Sequence, residues 1–312
     1  MNLKEQLKEH RYSIPRRIVQ FISFVFINYV ILEFIFIINL KALEPFIKIL
    51  PILAAPENPL SKGAGFAEYL FYFIAEGEFP FLLLGILILL ILFTNRFFCG
   101  WICPIGTIQD GLSAFPTNKK KVNIETHKTL LHLKYLIVIL LLIIIVPLGF
   151  TKITDKGFYK DYKENLGDIA RNPVGYFSLS EYLFVFFPQL IEEMWEKENI
   201  EPLFTEFAVF VMFAFYLIVL IVAVYYPRAY CRYICPFGAI TAAISDYSFL
   251  KLSRSPVRCV GRAECGICER VCPKQIRILD EPFEFFTGNG ECNLCLKCME
   301  SCPYNAMELR FG

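Results

Sequence analysis

Histidine is nearly missing from this chain: three occur in 312 residues, none central in an apolar run. A b-type haem needs axial ligands inside a helical bundle, so the shortage argues against that cofactor, and no C-x-x-C-H run offers covalent haem attachment either. There is no methionine- or histidine-rich tract of the kind often read as a metal-delivery feature. Charge of one sign is also lacking. Lys and Arg total 31 against 30 Asp and Glu, and no basic stripe or DNA-reading motif appears, so nucleic acid is not an expected partner. No cleavage pattern closely follows the first apolar run, which is too long for a signal-peptide core and is expected to remain as an anchor.

What the chain has in excess is apolar surface. It is 56% hydrophobic and 16% aromatic, with a mean hydropathy of +0.49, more than a soluble domain of this length needs. Four stretches approach the length of about 20 residues that crosses a bilayer: 18–40, 79–95, 135–150 and 207–227. The second and third are short, but their flanks can extend them, with Lys134 snorkelling to the interface. The expected fold is a mostly α membrane protein with four transmembrane helices. Residues 1–17 and 96–134 hold 11 Lys and Arg in 56 positions, against 9 in 94 for 41–78 and 151–206. The denser set belongs on the cytoplasmic side of an inner membrane, and Lys119–Lys121 reads as a topology-fixing cluster. An even number of spans then puts both termini in the cytoplasm. Every cysteine falls on or near that side, and the outer segments contain none.

The membrane part repeats itself. Arg96-Phe97-Phe98-Cys99-Gly100-Trp101-Ile102-Cys103-Pro104-Ile105-Gly106 aligns with Arg228-Ala229-Tyr230-Cys231-Arg232-Tyr233-Ile234-Cys235-Pro236-Phe237-Gly238. The outer segments echo each other too: Asn58-Pro59-Leu60 precedes Glu68-Tyr69-Leu70-Phe71, and Asn172-Pro173-Val174 precedes Glu181-Tyr182-Leu183-Phe184. Two helices per unit give both copies the same polarity, so these are parallel repeats about an axis along the membrane normal. Both C-x3-C-P elements therefore sit at one depth, where Cys99, Cys103, Cys231 and Cys235 can converge. Four thiolates suit an iron–sulfur cluster or a soft metal. A pair alone suits thiol–disulfide chemistry, and buried structural cysteines are the plainest alternative.

The other eight cysteines occupy the last 54 residues, as Cys259-x5-Cys265-x2-Cys268-x3-Cys272-Pro273 and Cys292-x2-Cys295-x2-Cys298-x3-Cys302-Pro303. The second run has the bacterial ferredoxin spacing. In that pattern three thiolates on a tight loop hold one [4Fe-4S] cluster while the fourth ligates its neighbour. Cluster 1 is then expected on Cys259, Cys265, Cys268 and Cys302, and cluster 2 on Cys292, Cys295, Cys298 and Cys272. The longer opening gap makes Cys259 the ligand most open to displacement or absence. Zinc does not need the third cysteine or the C-P, and disulfides do not suit a tail facing the reducing cytosol. The domains expected are 1–257, the membrane part, and 258–312, a small α+β two-cluster ferredoxin-like unit at the cytoplasmic C-terminus.

With these elements in this order, the chain resembles the NapH-type polytopic ferredoxins, quinol dehydrogenase membrane components related to the NosR and CcoG groups. The resemblance rests on Cys99–Gly106 with Asp110, on Cys231–Gly238 and on the tail. It implies four helices, cytoplasmic termini and electron passage between the quinone pool and a redox partner, such as a ferredoxin or cytochrome subunit. No S/T-G-A-T flavin-attachment sequence occurs and nothing matches a periplasmic flavin domain, so the NosR role is not supported; nor does an extra C-terminal domain follow, as in the CcoG group.

Proton and quinone candidates come from polar residues near the apolar runs. Glu33, well inside the first run near Asn28 and Tyr29, must be protonated or paired if it faces the bundle, and is a candidate proton carrier. His132, with His127, enters the third run from the cytoplasmic side and is a second candidate. The segments 66–74 and 182–191 are too short to span and too apolar for free loops, so they should lie in the interface as aromatic helices. Two function classes follow: electron transfer between quinone and a partner through the clusters, or copper or other soft-metal handling at the four membrane thiols for assembly of a respiratory enzyme.

Overall fold

Helices carry most of the chain because its apolar runs are rich in leucine, isoleucine and phenylalanine and poor in breakers. The computed structural model describes residues 10–312 apart from 38, 41, 43, 56–57, 61–64, 116–118, 168–169, 171–172 and 206, so Asn172 and residues 1–9 of the basic N-terminal count lie outside the described residues. The principal elements are α1 (Ser13–Ile27), α2 (Val30–Phe36), α3 (Phe66–Ala75), α4 (Phe81–Thr94), α5 (Phe97–Trp101), α6 (Pro104–Leu112), α7 (Ile124–Thr154), α8 (Lys156–Leu166), α9 (Phe187–Glu196), α10 (Phe207–Tyr225), α11 (Ala229–Tyr233), α12 (Pro236–Ser245), β1 (Leu250–Arg254) and β2 (Met307–Phe311).

Among the described residues, two unbroken helices are long and apolar enough to cross a membrane. α7 has 31 residues and α10 has 19, lengths of about 46 and 28 Å at 1.5 Å per residue. α7 buries Ile137, Leu141, Ile145 and Leu148, one stripe at helical spacing, and exposes Leu136, Ile139, Leu140, Ile143, Val146 and Phe150 on the other side. An outward face that apolar is solvated by lipid tails rather than water.

The other two expected spans differ. The 18–40 run is not one straight helix: α1 and α2 meet at an 81° bend. At the corner the Asn28 side-chain amide donates to the Phe24 carbonyl at 2.8 Å, and the Val30 amide donates to Leu60 at 3.0 Å instead of continuing the helical ladder. Side-chain competition of this kind ends a helix locally. α4 has 14 residues, about 21 Å, short of a hydrocarbon core of about 30 Å. Outside the spans lie α3 and a run from Leu179–Glu181 through a π turn at Tyr182–Phe186 into α9. These are the helices expected at 66–74 and 182–191.

The tail is a separate small core. β1 pairs antiparallel with β2 in the register Leu250↔Phe311 to Arg254↔Met307, and Leu252, Ile278, Phe286, Leu294, Met299 and Met307 pack beneath. The sheet starts at Leu250, ahead of the boundary expected at 258, because β1 completes the ladder that β2 needs. The tail also reaches the membrane part: Asn95 Nδ2 donates to the Leu250 carbonyl at 2.9 Å.

Candidate metal centres

Each C-x3-C-P element is built in the same way. The first cysteine sits in a five-residue helix, α5 or α11, and the second caps the following helix with proline as its first residue. Proline suits that position because its fixed φ is already helical and its missing N–H has no intrahelical partner. The Cys235 thiol accepts from the Gly238 amide at 3.3 Å. Cys99, Cys103, Cys231 and Cys235 line a single cavity together with Arg96, Arg228 and Lys274. Gln109 Nε2 donates across the repeat boundary to Cys231 Sγ at 2.9 Å. Burial pushes the Cys103 thiol up to about 12, and Cys231 and Cys99 add to the shift, as close thiols must.

The two repeats exchange arginines. Arg228 of the second donates to the Cys99 carbonyl at 2.8 Å and clamps Asp110 through Nε at 2.9 Å and Nη2 at 2.7 Å. A Cβ on Gly106 would lie 3.5 Å from its guanidinium, and one on Gly238 would lie 3.3 Å from that of Arg96. Asp110 is also paired with Arg16 and accepts from Gln20 at 2.8 Å. Burial alone would raise its pKa, but Arg228 and Arg16 hold this carboxyl well below the usual range. In the second repeat the place of Asp110 is taken by Ala242. The carboxylate for Arg96 comes instead from the tail: Glu291 accepts from Arg96 at 3.1 Å, pairs with Lys134 and lies 3.7 Å from Lys274.

Within the tail the thiols fall into two groups. Cys259, Cys265, Cys268 and Cys302, the four expected for cluster 1, line one cavity with Arg254 and Tyr304. Burial, then the thiols of Cys295, Cys292, Cys272 and Cys268, hold the Cys298 thiol well above its ordinary value; the second group expected from the spacing is Cys272, Cys292, Cys295 and Cys298. Cys268 of the first group and Cys298 of the second are electrostatic neighbours. The twelve cysteines form no disulfide. Among the described residues no three His, Cys, Asp or Glu side chains are grouped to hold a lone metal ion. A zinc-type ion needs sulfur ligands at about 2.3 Å, whereas a four-iron cluster is a larger body. All-thiol donor sets, with Arg96, Arg228 and Lys274 facing the membrane set, fit an anionic cluster.

The tail loop around Asn293 packs against the loop between the first pair of membrane cysteines. A Cβ on Gly100, between Cys99 and Cys103, would lie 2.1 Å from the carbonyl of Asn293, between Cys292 and Cys295. Only glycine admits that approach. Next to it Trp101 Nε1 donates to the Leu294 carbonyl at 2.8 Å. Lys274, two residues after Cys272, donates to the Cys231 carbonyl at 3.1 Å. Cys231 and Cys295 both act electrostatically on Arg228.

The proton candidates are placed differently from expectation. Glu33 lies beyond the bend, half-buried, and its carboxylate accepts from the Leu40 amide at 2.8 Å. The bend removes it from the middle of a straight span. His132 points outward from α7 and is exposed, whereas His127 is buried with Nδ1 2.8 Å from the Tyr233 hydroxyl. Glu68 and Glu181 stand at the matched positions of the two outer echoes, Glu68 buried and Glu181 half-buried. Glu68 is 3% exposed, and neither of its oxygens makes a regular hydrogen bond although Ser178 is beside it. Burial, then Glu181, raises the Glu68 carboxyl to about 8. The Glu-Tyr-Leu-Phe echo was the available signal for this pair.

A family model described as a 4Fe-4S binding domain matches residues 77–123 and 208–255, one segment on each C-x3-C-P repeat. The chain is 26% identical over 251 residues to the uncharacterised protein MJ0750 of Methanocaldococcus jannaschii, covering 77% of this chain and 83% of that one. It is 26% identical over 238 residues to YccM of Escherichia coli, a protein named for a proposed role in electron transport, covering 74% of this chain and 57% of YccM. Over 231 residues it is 27% identical to the regulatory protein NosR of Pseudomonas aeruginosa, covering 69% of this chain but 25% of NosR. No solved structure matches.

Proposed function

We propose that this chain is a membrane-embedded iron–sulfur electron-transfer protein that passes electrons between the quinone pool and a redox partner. The coarser part, a membrane iron–sulfur protein of the NosR-like kind, is supported by the 4Fe-4S family match on both repeats and by the similarity to YccM and NosR. The finer reading is of the NapH type. It takes α1–α2, α4, α7 and α10 as four membrane passages, with the tail as a two-cluster ferredoxin-like unit on the cytoplasmic side.

One observation carries the reading: Gly100 and Trp101 of the membrane thiol loop touch Asn293 and Leu294 of the tail thiol loop. Cys99, Cys103, Cys231 and Cys235 would hold one centre, Cys272, Cys292, Cys295 and Cys298 the next, and Cys259, Cys265, Cys268 and Cys302 the outermost. When bound, the clusters supply one-electron chemistry that a thiol alone does not. Arg96, Arg228 and Lys274 hold the facing loops together and offset the negative charge of the thiolates. Glu68 and Glu181, and more distantly Glu33, are the carboxylates available to take protons from a quinol bound among the outer helices.

The test uses the full chain purified anaerobically. Iron content of about eight per chain with spin-coupled signals in the reduced form supports the two tail clusters, and about twelve supports a third at the membrane thiols. A quinol should reduce these centres, and Cys99→Ser with Cys231→Ser should stop that reduction while leaving the tail signals. Stoichiometric zinc in place of iron would sink the reading. Tight copper binding at the membrane thiols, with no quinone-dependent change, would replace it with soft-metal handling.

A further inference from the structure

A second feature lies outside the relay. Between the start of α1, the segment before α7, α11 and the two tail loops is a cleft of about 710 Å³, within the range of small-molecule sites. Its cations are Lys119, Lys120, Lys121, Arg232, Arg270 and Lys297. Its two carboxylates are already engaged. Asp110 is clamped by Arg16 and Arg228, and Glu300 accepts from the Tyr12 amide at 3.0 Å and the Ser13 amide at 2.8 Å. Six cations against two carboxylates leave the lining net positive.

Arg232 gives the cleft a built floor. It is 1% exposed, and its Nη2 donates to the Tyr233 hydroxyl at 2.5 Å and to Gln275. Its Nε and Nη1 have no partner. Two buried guanidinium N–H groups without acceptors are costly, and a phosphate oxygen reaching either of them would offset that cost. Lys119, Lys120 and Lys121 are exposed on the rim, positioned as point charges around the same opening. The apolar lining is limited to Pro227, Val271 and Pro273 with the Cys272 side, so a hydrophobic ligand gains little there.

We propose that this cleft binds the phosphate group of a small soluble ligand or a lipid headgroup, with Arg232 as its buried donor and the 119–121 lysines as its rim. The site adjoins Cys272, so an anion there would lie beside the middle tail centre, but the proposal stands whether or not that centre carries electrons.

Calorimetric titration of the full-length protein in neutral detergent with inorganic pyrophosphate should show one saturable site that weakens with salt. Bound pyrophosphate should protect Lys119–Lys121 from amine acetylation read by mass spectrometry. Lys119→Gln with Lys121→Gln, on exposed positions that leave the core intact, should weaken binding by about ten-fold or more. Arg232→Lys should keep the charge yet lose affinity because the Nε and Nη1 donors are gone. Nanodiscs of phosphatidylglycerol and phosphatidylcholine separate the sources. Lysine protection in phosphatidylglycerol but not phosphatidylcholine, before any pyrophosphate is added, identifies a headgroup, and protection that requires pyrophosphate in both identifies a soluble ligand. No binding heat and no protection in any arm, or binding indifferent to the lysine pair, would overturn the site.

Discussion

Arg96 of the first membrane repeat donates to Glu291 of the tail at 3.1 Å, the role that Asp110 fills for Arg228 in the other half of the molecule. The repeat alone leaves Arg96 without an acid, since Ala242 stands where Asp110 would recur. Borrowing Glu291 makes the tail a structural part of the membrane unit. Lys134 and Lys274 join the same carboxylate, so three cations depend on one residue of the tail.

Glu291→Gln should therefore strand Arg96, Lys134 and Lys274, at a cost of about 3–5 kcal/mol for a broken buried pair. The readout is a lower melting temperature together with faster proteolysis between the membrane part and β1. In the parent chain these cations hold Glu291 at about 2 despite its burial. Because the folded value lies below the unfolded one, that stabilisation is complete above pH about 4.5 and fades as the pH falls toward 2. The Gln variant should lack this acid limb.

Glu68 predicts the opposite sign. Burial and Glu181 raise its folded pKa to about 8, so between pH about 4.5 and 8 the folded chain holds a proton that the unfolded chain has released. Stability falls as the pH rises through that window. Glu68→Gln should flatten the decline, seen in thermal melts from pH 5 to 8 as a variant that gains on the parent by about a few kcal/mol at the alkaline end. Parallel curves for the two proteins would show that Glu68 is already ionised at pH 5.

Gly100→Ala tests the contact between the loops. The new methyl would meet the Asn293 carbonyl at 2.1 Å, and overpacking of this kind costs about 1–3 kcal/mol. Iron content should persist because no ligand is touched. Reduction of the tail centres by quinol should slow, and rates equal to the parent's would place the transfer route elsewhere.

The two tail groups predict selective damage. Cys259→Ser should alter only the signal of the centre shared with Cys265, Cys268 and Cys302, and Cys272→Ser only its neighbour's, with loss of the coupling between them in either case. A spectrum unchanged by Cys259→Ser would remove that residue from the ligand set.

Membrane orientation has its own check. A membrane-impermeant thiol reagent added to intact cells should label none of the twelve cysteines, because the tail and both C-x3-C-P loops occupy one end of the molecule. Labelling from outside would invert the topology.

The cysteine spacings, the prolines that follow them and the internal repeat are local properties, and they are legible in the chain because spacing alone decides which thiols share a loop. The apolar runs likewise announced helices wherever periodicity was uninterrupted, as along Phe207–Tyr225. Tertiary structure decided the rest. The bend at Asn28 depends on a carbonyl at Phe24 and on Leu60, a residue far along the chain that takes the Val30 amide. The place of Glu33 beyond the helix corner follows from that bend. The meeting of Glu68 with Glu181, and the service of Glu291 to Arg96, each join residues more than 100 positions apart. No periodicity encodes such pairings, because they exist only once two repeats and a tail close on one another and leave each buried charge to find a partner.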